Sequence, residues 1–113
     1  RISMDDCIFC KIVRRELPAD VVFENENILA FKDINPMAPT HVLVIPKKHI
    51  ASLDDLTSED AGLAGELIFA VKDVAAQSGV AGAYKMLTNC GEAAGQVVPH
   101  LHFHILGGKK FVP

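Results

Sequence analysis

Apolar residues along this chain recur in short runs, in one helical stretch and in one strict alternation. Val21-Val22-Phe23 and Ile28 to Phe31 flank Glu24-Asn25-Glu26-Asn27, a stretch of polar turn formers, so a hairpin is predicted. Upstream, Cys7 to Val13 predicts a helical turn stopped by Pro18. Ile34 to Thr40 carries Pro36 and Pro39 and predicts a shaped loop. The unbroken Val42-Leu43-Val44-Ile45 run before Pro46 then reads as a strand buried on both faces. Thr57 and Asp60 have the spacing of a capping box. Leu63, Leu67, Ala70 and Val74 follow at helical intervals as far as Gly79, giving one amphipathic helix of about five turns. Tyr84 to Thr88 predicts a fourth strand, Cys90 to Gln96 a glycine loop, and His100 to Leu106 a fifth strand closed by Gly107-Gly108. The expected fold class is α+β: a mostly antiparallel five-stranded sheet with one long and one short helix.

With 113 residues and no linker-like tract, the chain is expected to be a single domain over 1–113, and Arg1-Ile2-Ser3 before Met4 reads as an appended cloning remnant. Half of the residues are hydrophobic and 22% are charged, a balance that excludes a disordered polymer. No apolar run approaches the roughly 20 residues of a membrane span, and no leader pattern opens the chain, so no membrane association and a cytoplasmic location are expected. The formal charge of −3 argues against a broad nucleic-acid-binding face. Three cysteines, Cys7, Cys10 and Cys90, suit a reducing compartment better than a disulfide framework. Lys47-Lys48 and Lys109-Lys110 read as solvated surface, and Cys90 as a small packing residue.

The informative stretch is His100-Leu101-His102-Phe103-His104-Ile105-Leu106. Period two gives each residue class its own face, so three imidazoles should line one side of a strand about 7 Å apart while Leu101, Phe103 and Ile105 anchor it. Such a row suits metal ligation or nucleophilic and acid–base work. The adjoining glycine loop, whose amides can cradle a phosphate, favours the second. Cys7-Ile8-Phe9-Cys10 has the two-residue gap that lets two thiolates reach one ion, though redox pairs and incidental pairs share it.

The seven-residue histidine stretch resembles the signature of the histidine-triad (HIT) family of nucleotide-binding proteins. Asn35-Pro36-Met37-Ala38-Pro39-Thr40-His41-Val42-Leu43-Val44-Ile45-Pro46-Lys47-Lys48-His49, Asn89, Gly95-Gln96 and Gly107-Gly108 carry the likeness over nearly the whole chain. The closing glycine pair is similar to the Hint-like branch. That resemblance implies a homodimer with the sheet extended across both copies, acting on purine nucleoside phosphoramidates or related AMP or GMP conjugates through a nucleotidyl-histidine intermediate.

It further implies that His102 is the nucleophile, oriented by the His100 carbonyl, and that His104 and Asn89 bind the α-phosphate beside the Gly95-Gln96-Val97 loop. Asp33 would take the ribose hydroxyls, Ile28, Phe31 and Ile34 would pack around the base, and His41 would assist proton transfer at the leaving group. Val97 departs from the pattern, because the family often places a serine hydroxyl there. Some members carry the same cysteine pair and complete a structural zinc site with two histidines, here His49 and His100. No organic cofactor is expected. Two other readings stay open: a nucleotide-binding adaptor with slow residual catalysis, and a metallohydrolase whose triad itself holds a catalytic zinc.

Overall fold

A computed structural model describes residues 4–113, so the reading of Arg1-Ile2-Ser3 as an appended stretch lies outside the described residues. Helix α1 (Ile8–Val13) is followed by the hairpin β1 (Val21–Glu24) and β2 (Ile28–Lys32), then by β3 (Thr40–Pro46), α2 (Ala61–Gln77), β4 (Tyr84–Leu87) and β5 (Phe103–Gly107). The strands form one sheet in the order β1-β2-β3-β5-β4, with every neighbouring pair antiparallel. At the hairpin, Asn25 Oδ1 accepts the N–H groups of Asn27 and Ile28, an Asx arrangement that reverses the chain.

Each face of the sheet has its own cover. Ile28, Ala30, Val42, Val44, Phe103 and Ile105 meet Leu67, Ala70, Val71 and Val74 of α2, while Leu29, Phe31, Leu43 and Ile45 meet Phe9, Cys10 and Ile12 of α1. The unbroken apolar run Val42 to Ile45 in β3 follows from this, because both faces of the strand are buried. Leu67, with no exposed surface, anchors the helix side, and burying such a side chain contributes roughly 2–3 kcal/mol. The Thr57 N–H donates to Asp60 Oδ2 at 3.0 Å where a 3-10 turn over Ser58–Asp60 leads into α2. Lys48 Nζ lies 2.7 Å from the Asp60 carboxylate, and with the Thr57 amide it holds that carboxyl below its ordinary range.

The expected strand from His100 to Leu106 is shorter in the structure, and β5 starts only at Phe103. The segment ahead of it spends its backbone groups elsewhere. The His100 N–H bonds Val98 O at 2.8 Å, the Leu101 N–H bonds Ile50 O at 2.6 Å, and the His102 carbonyl accepts the Thr88 hydroxyl at 2.7 Å. Opposite, Pro46 has no N–H to offer, and its carbonyl takes the His100 ring at 2.8 Å. The alternation of sides survives the loss of pairing, since Leu101, Phe103 and Ile105 all enter the helix-side core.

Candidate functional site

The three histidines of the alternating stretch do not form an even row. The His102 and His104 ring centroids lie 5.0 Å apart, while His100 turns toward α1 and its cysteines. Cys7 caps the first turn of α1 and Cys10 lies one turn on, the Cys10 N–H reaching Cys7 Sγ at 3.4 Å, so both sulfurs face the same point. His100 Nδ1 is 3.3 Å from Cys7 Sγ and 3.6 Å from Cys10 Sγ. His49 Nδ1 is 3.3 Å from both Cys10 Sγ and His100 Nδ1. Ligands around a tetrahedral zinc-sized ion stand about 3.4–3.8 Å apart, so the four donor atoms nearly trace that cage.

The bond that orients His100 agrees with metal ligation. The His100 Nε2–H donates to Pro46 O, leaving Nδ1 as a lone pair aimed into the cluster, the usual arrangement of a metal-ligating histidine. Burial, opposed by that carbonyl bond, holds the His100 pKa at about 4. Burial, with the neighbouring Cys7 thiol, pushes the Cys10 thiol up to about 11. A cation supplies the charge that would let these enclosed sulfurs ionise.

His102 is buried, and its Nδ1–H donates to the His100 carbonyl at 2.7 Å. A neutral imidazole so bonded has its lone pair on Nε2. Burial keeps the ring neutral by lowering its pKa, against the opposing pull of the His100 carbonyl and Asp33. Phe9 stands edge-on to this ring at 5.1 Å and to Phe31 at 5.4 Å, forming an aromatic wall.

His104 follows Phe31 and Leu43 across the sheet, being paired with Leu43 in β3. Its Nδ1 is 2.9 Å from His41 Nε2, which also lies 3.3 Å from Asp33 Oδ2. The His104 Nε2 atom is buried and has no hydrogen-bond partner among the described residues, an orphan that a bound anion would satisfy. Burial, then the neighbouring His102 and His41, holds the His104 pKa at about 4. Asp33 Oδ1 accepts the Asn35 N–H at 2.8 Å, which fixes the carboxylate at the start of the proline loop. Asp33, His41 and His104 form a second group of clustered potential ligands, besides the one containing the cysteines.

In the glycine loop, Gly91 and Gly95 have φ of 90° and 94°, values that only glycine adopts readily. Asn89 places its amide nitrogen 3.9 Å from where a Gly95 Cβ would stand. The Gln96 side chain, expected beside a phosphate, is spent within the protein. Its Oε1 accepts Gly91 N–H at 2.8 Å, and its Nε2 donates to Ala51 O at 2.6 Å and Val98 O at 3.0 Å. Gln96 therefore holds the loop in shape. Val97 is 89% exposed and offers no hydroxyl.

The expected base pocket needs one correction. Ile28 has no exposed surface and packs against α2, on the sheet face opposite the histidines, so it cannot touch a base beside them. The hairpin register puts Leu29 and Phe31, not Ile28, on the histidine side. Phe31 is there, and Ile34 is 89% exposed on the loop. Phe9 was missed in the sequence, although its place between the two cysteines marks it as lying near whatever they hold. Thr88 and the Met37 amide, which donates to His41 Nδ1 at 3.0 Å, were missed as well, because backbone partners leave no residue-type signal.

Comparison with known proteins gives a consistent picture. Residues 14–111 match the HIT domain model. An uncharacterized HIT-like protein of Synechococcus elongatus is 51% identical over 106 residues, covering 94% of this chain and 93% of its own length. A solved HIT family hydrolase from Clostridium thermocellum superposes with a TM-score of 0.95 at 46% identity, covering 98% of this chain and 97% of that one. A HIT family hydrolase from Legionella pneumophila superposes at 0.92 with 45% identity, covering 95% and 96%.

Proposed function

The chain belongs to the HIT domain family, and from that premise we propose a nucleotide-binding hydrolase or transferase that cleaves at the α-phosphate of a purine nucleoside phosphoramidate or related conjugate. The observation that carries this reading is the complementary pair of rings: the His102 Nδ1–H is tied to the His100 carbonyl, leaving Nε2 free as a nucleophile, and the unpartnered His104 Nε2 lies beside it. A lone pair and a hydrogen-bond donor side by side suit an electrophilic phosphorus and its anionic oxygen.

In the first step the His102 Nε2 lone pair attacks phosphorus. The bond from phosphorus to the leaving amine breaks, the amine takes its electron pair and a proton from solvent, and a nucleotidyl-histidine remains. Water then attacks the same phosphorus. The bond to Nε2 breaks, neutral imidazole returns, and nucleoside monophosphate and a proton leave. His104 and Asn89 hold the phosphoryl oxygens together with amides of the Gly95-Gln96-Val97 loop. Asp33 receives the ribose hydroxyls, and Phe31, Phe9 and Ile34 line the base. With valine at position 97, the loop's backbone amides replace the hydroxyl common in the family, and turnover is correspondingly slower.

Cys7, Cys10, His49 and His100 fit a structural Zn²⁺. When bound, the ion supplies a charge that lets two buried thiolates exist and ties α1 to the sheet. Chemistry at phosphorus is left to His102, since a closed four-ligand set has no open position. We further propose that the single domain works as a cytoplasmic homodimer. The outer edge of β4 and the exposed Phe69 and Ile68 of α2 support a second copy continuing the sheet. The testing experiment compares adenosine and guanosine phosphoramidates with dinucleoside polyphosphates as substrates. Preference for the phosphoramidates by tenfold or more in kcat/KM is expected, and turnover of neither class would contradict the reading.

A further inference from the structure

Histidine 41 is almost completely buried, and it connects a backbone amide to the anion-facing ring of His104. The Met37 N–H donates to His41 Nδ1 at 3.0 Å. An amide does not give up its proton, so this bond fixes Nδ1 as an acceptor, and a neutral His41 then has its hydrogen on Nε2. That hydrogen faces His104 Nδ1 at 2.9 Å and Asp33 Oδ2 at 3.3 Å, two acceptors it can serve. His104 Nδ1 must in turn be a lone pair, which leaves its hydrogen on Nε2, the atom with no partner among the described residues.

We propose that His41 is a positioning residue that locks His104 as an Nε2–H donor toward a bound phosphoryl oxygen, with the Met37 amide setting the polarity of the chain. This replaces the proton-transfer role expected from the family resemblance. A relay through His41 would take the proton from its Nε2, and the Met37 amide could not return one at Nδ1, so the ring would be left anionic. The same bond argues against a metal ion on Asp33, His41 and His104, because His41 Nε2 has no lone pair to offer while Nδ1 accepts from the amide. The low His104 pKa agrees with a neutral ring held in one tautomer.

The tautomer assignment stands on hydrogen-bond geometry alone, and its consequence for ligands rests on the nucleotide reading above. Long-range ¹H–¹⁵N spectra of the zinc-loaded wild type, without ligand, read the tautomer directly. A protonated Nε2 and bare Nδ1 on His104 are expected, and the opposite tautomer or a fast-exchanging mixture overturns the proposal. Two variants then test polarity. His41→Gln can accept from Met37 and still donate to His104, so the tautomer persists and AMP affinity stays within about threefold. His41→Glu presents only acceptors, drives the hydrogen onto His104 Nδ1 and weakens AMP binding by tenfold or more, the size of a lost hydrogen bond to an ionised group. An unchanged His104 spectrum in folded His41→Glu contradicts the inference. A wild type with the expected tautomer but no affinity for AMP contradicts the nucleotide reading and leaves the donor chain intact.

Discussion

A neutral imidazole holds its hydrogen on one nitrogen and a lone pair on the other, and at this site backbone groups make that choice. The His100 carbonyl sets it for His102, the Pro46 carbonyl for His100 and the Met37 amide for His41. The alternation of histidine with apolar residues told which side of the chain the rings would take. It could not tell which nitrogen would be free, because the deciding groups are present in every residue. Protonation also carries a stability consequence. His104 titrates near 6.5 when unfolded and at about 4 when folded, because burial disfavours its charged form. Its contribution is complete above pH 6.5, declines as pH falls from 6.5 toward 4, and changes no further below that. Thermal unfolding of wild type and His104→Gln across pH 4–8 should show the wild type losing more between pH 6.5 and 4. Parallel curves would refute this assignment.

At the level of elements, the strands were legible because turn formers bound their short apolar runs, and α2 because its helical spacing is sustained. Two details escaped. The start of β5 depends on Pro46, Thr88 and Ile50, whose bonds divert residues 100–102 from the ladder. The side taken by Ile28 depends on hairpin register, which a four-residue apolar run does not reveal, since a shift of one residue exchanges the faces. Gln96 belongs to this scale too, because its amide bonds Gly91 and Val98 at the glycine loop and ties them to Ala51 in the segment after His49. Gln96→Ala should cost about 2 kcal/mol of stability, given the contribution of each bond and the carbonyls left bare. It should also speed amide hydrogen exchange across Gly91 to Val98 while α2 exchanges as before. Unchanged loop protection would show that the loop keeps its shape without the clamp.

For the whole molecule, the cysteine–histidine cluster joins the first helix, the end of β3 and the segment carrying His102. The cysteine spacing alone left metal, redox and incidental readings open. Four donor atoms within 4.8 Å of one another, with the fourth ligand oriented by Pro46 O, are what favour a metal. Stripping zinc with a strong chelator should lower the melting temperature by about 10 °C or more, and activity should persist until unfolding begins. Immediate loss of turnover at a temperature where the protein stays folded would point instead to a catalytic ion. The nucleophilic role of His102 is tested most directly by rapid quenching with a radiolabelled nucleoside phosphoramidate and peptide mapping. Label joined through a phosphorus–nitrogen bond to the His102 peptide, formed and discharged at rates matching turnover and missing in His102→Ala, is the expected result. A wild type that turns over with no label on His102, or a His102→Ala variant that keeps its rate, would contradict it.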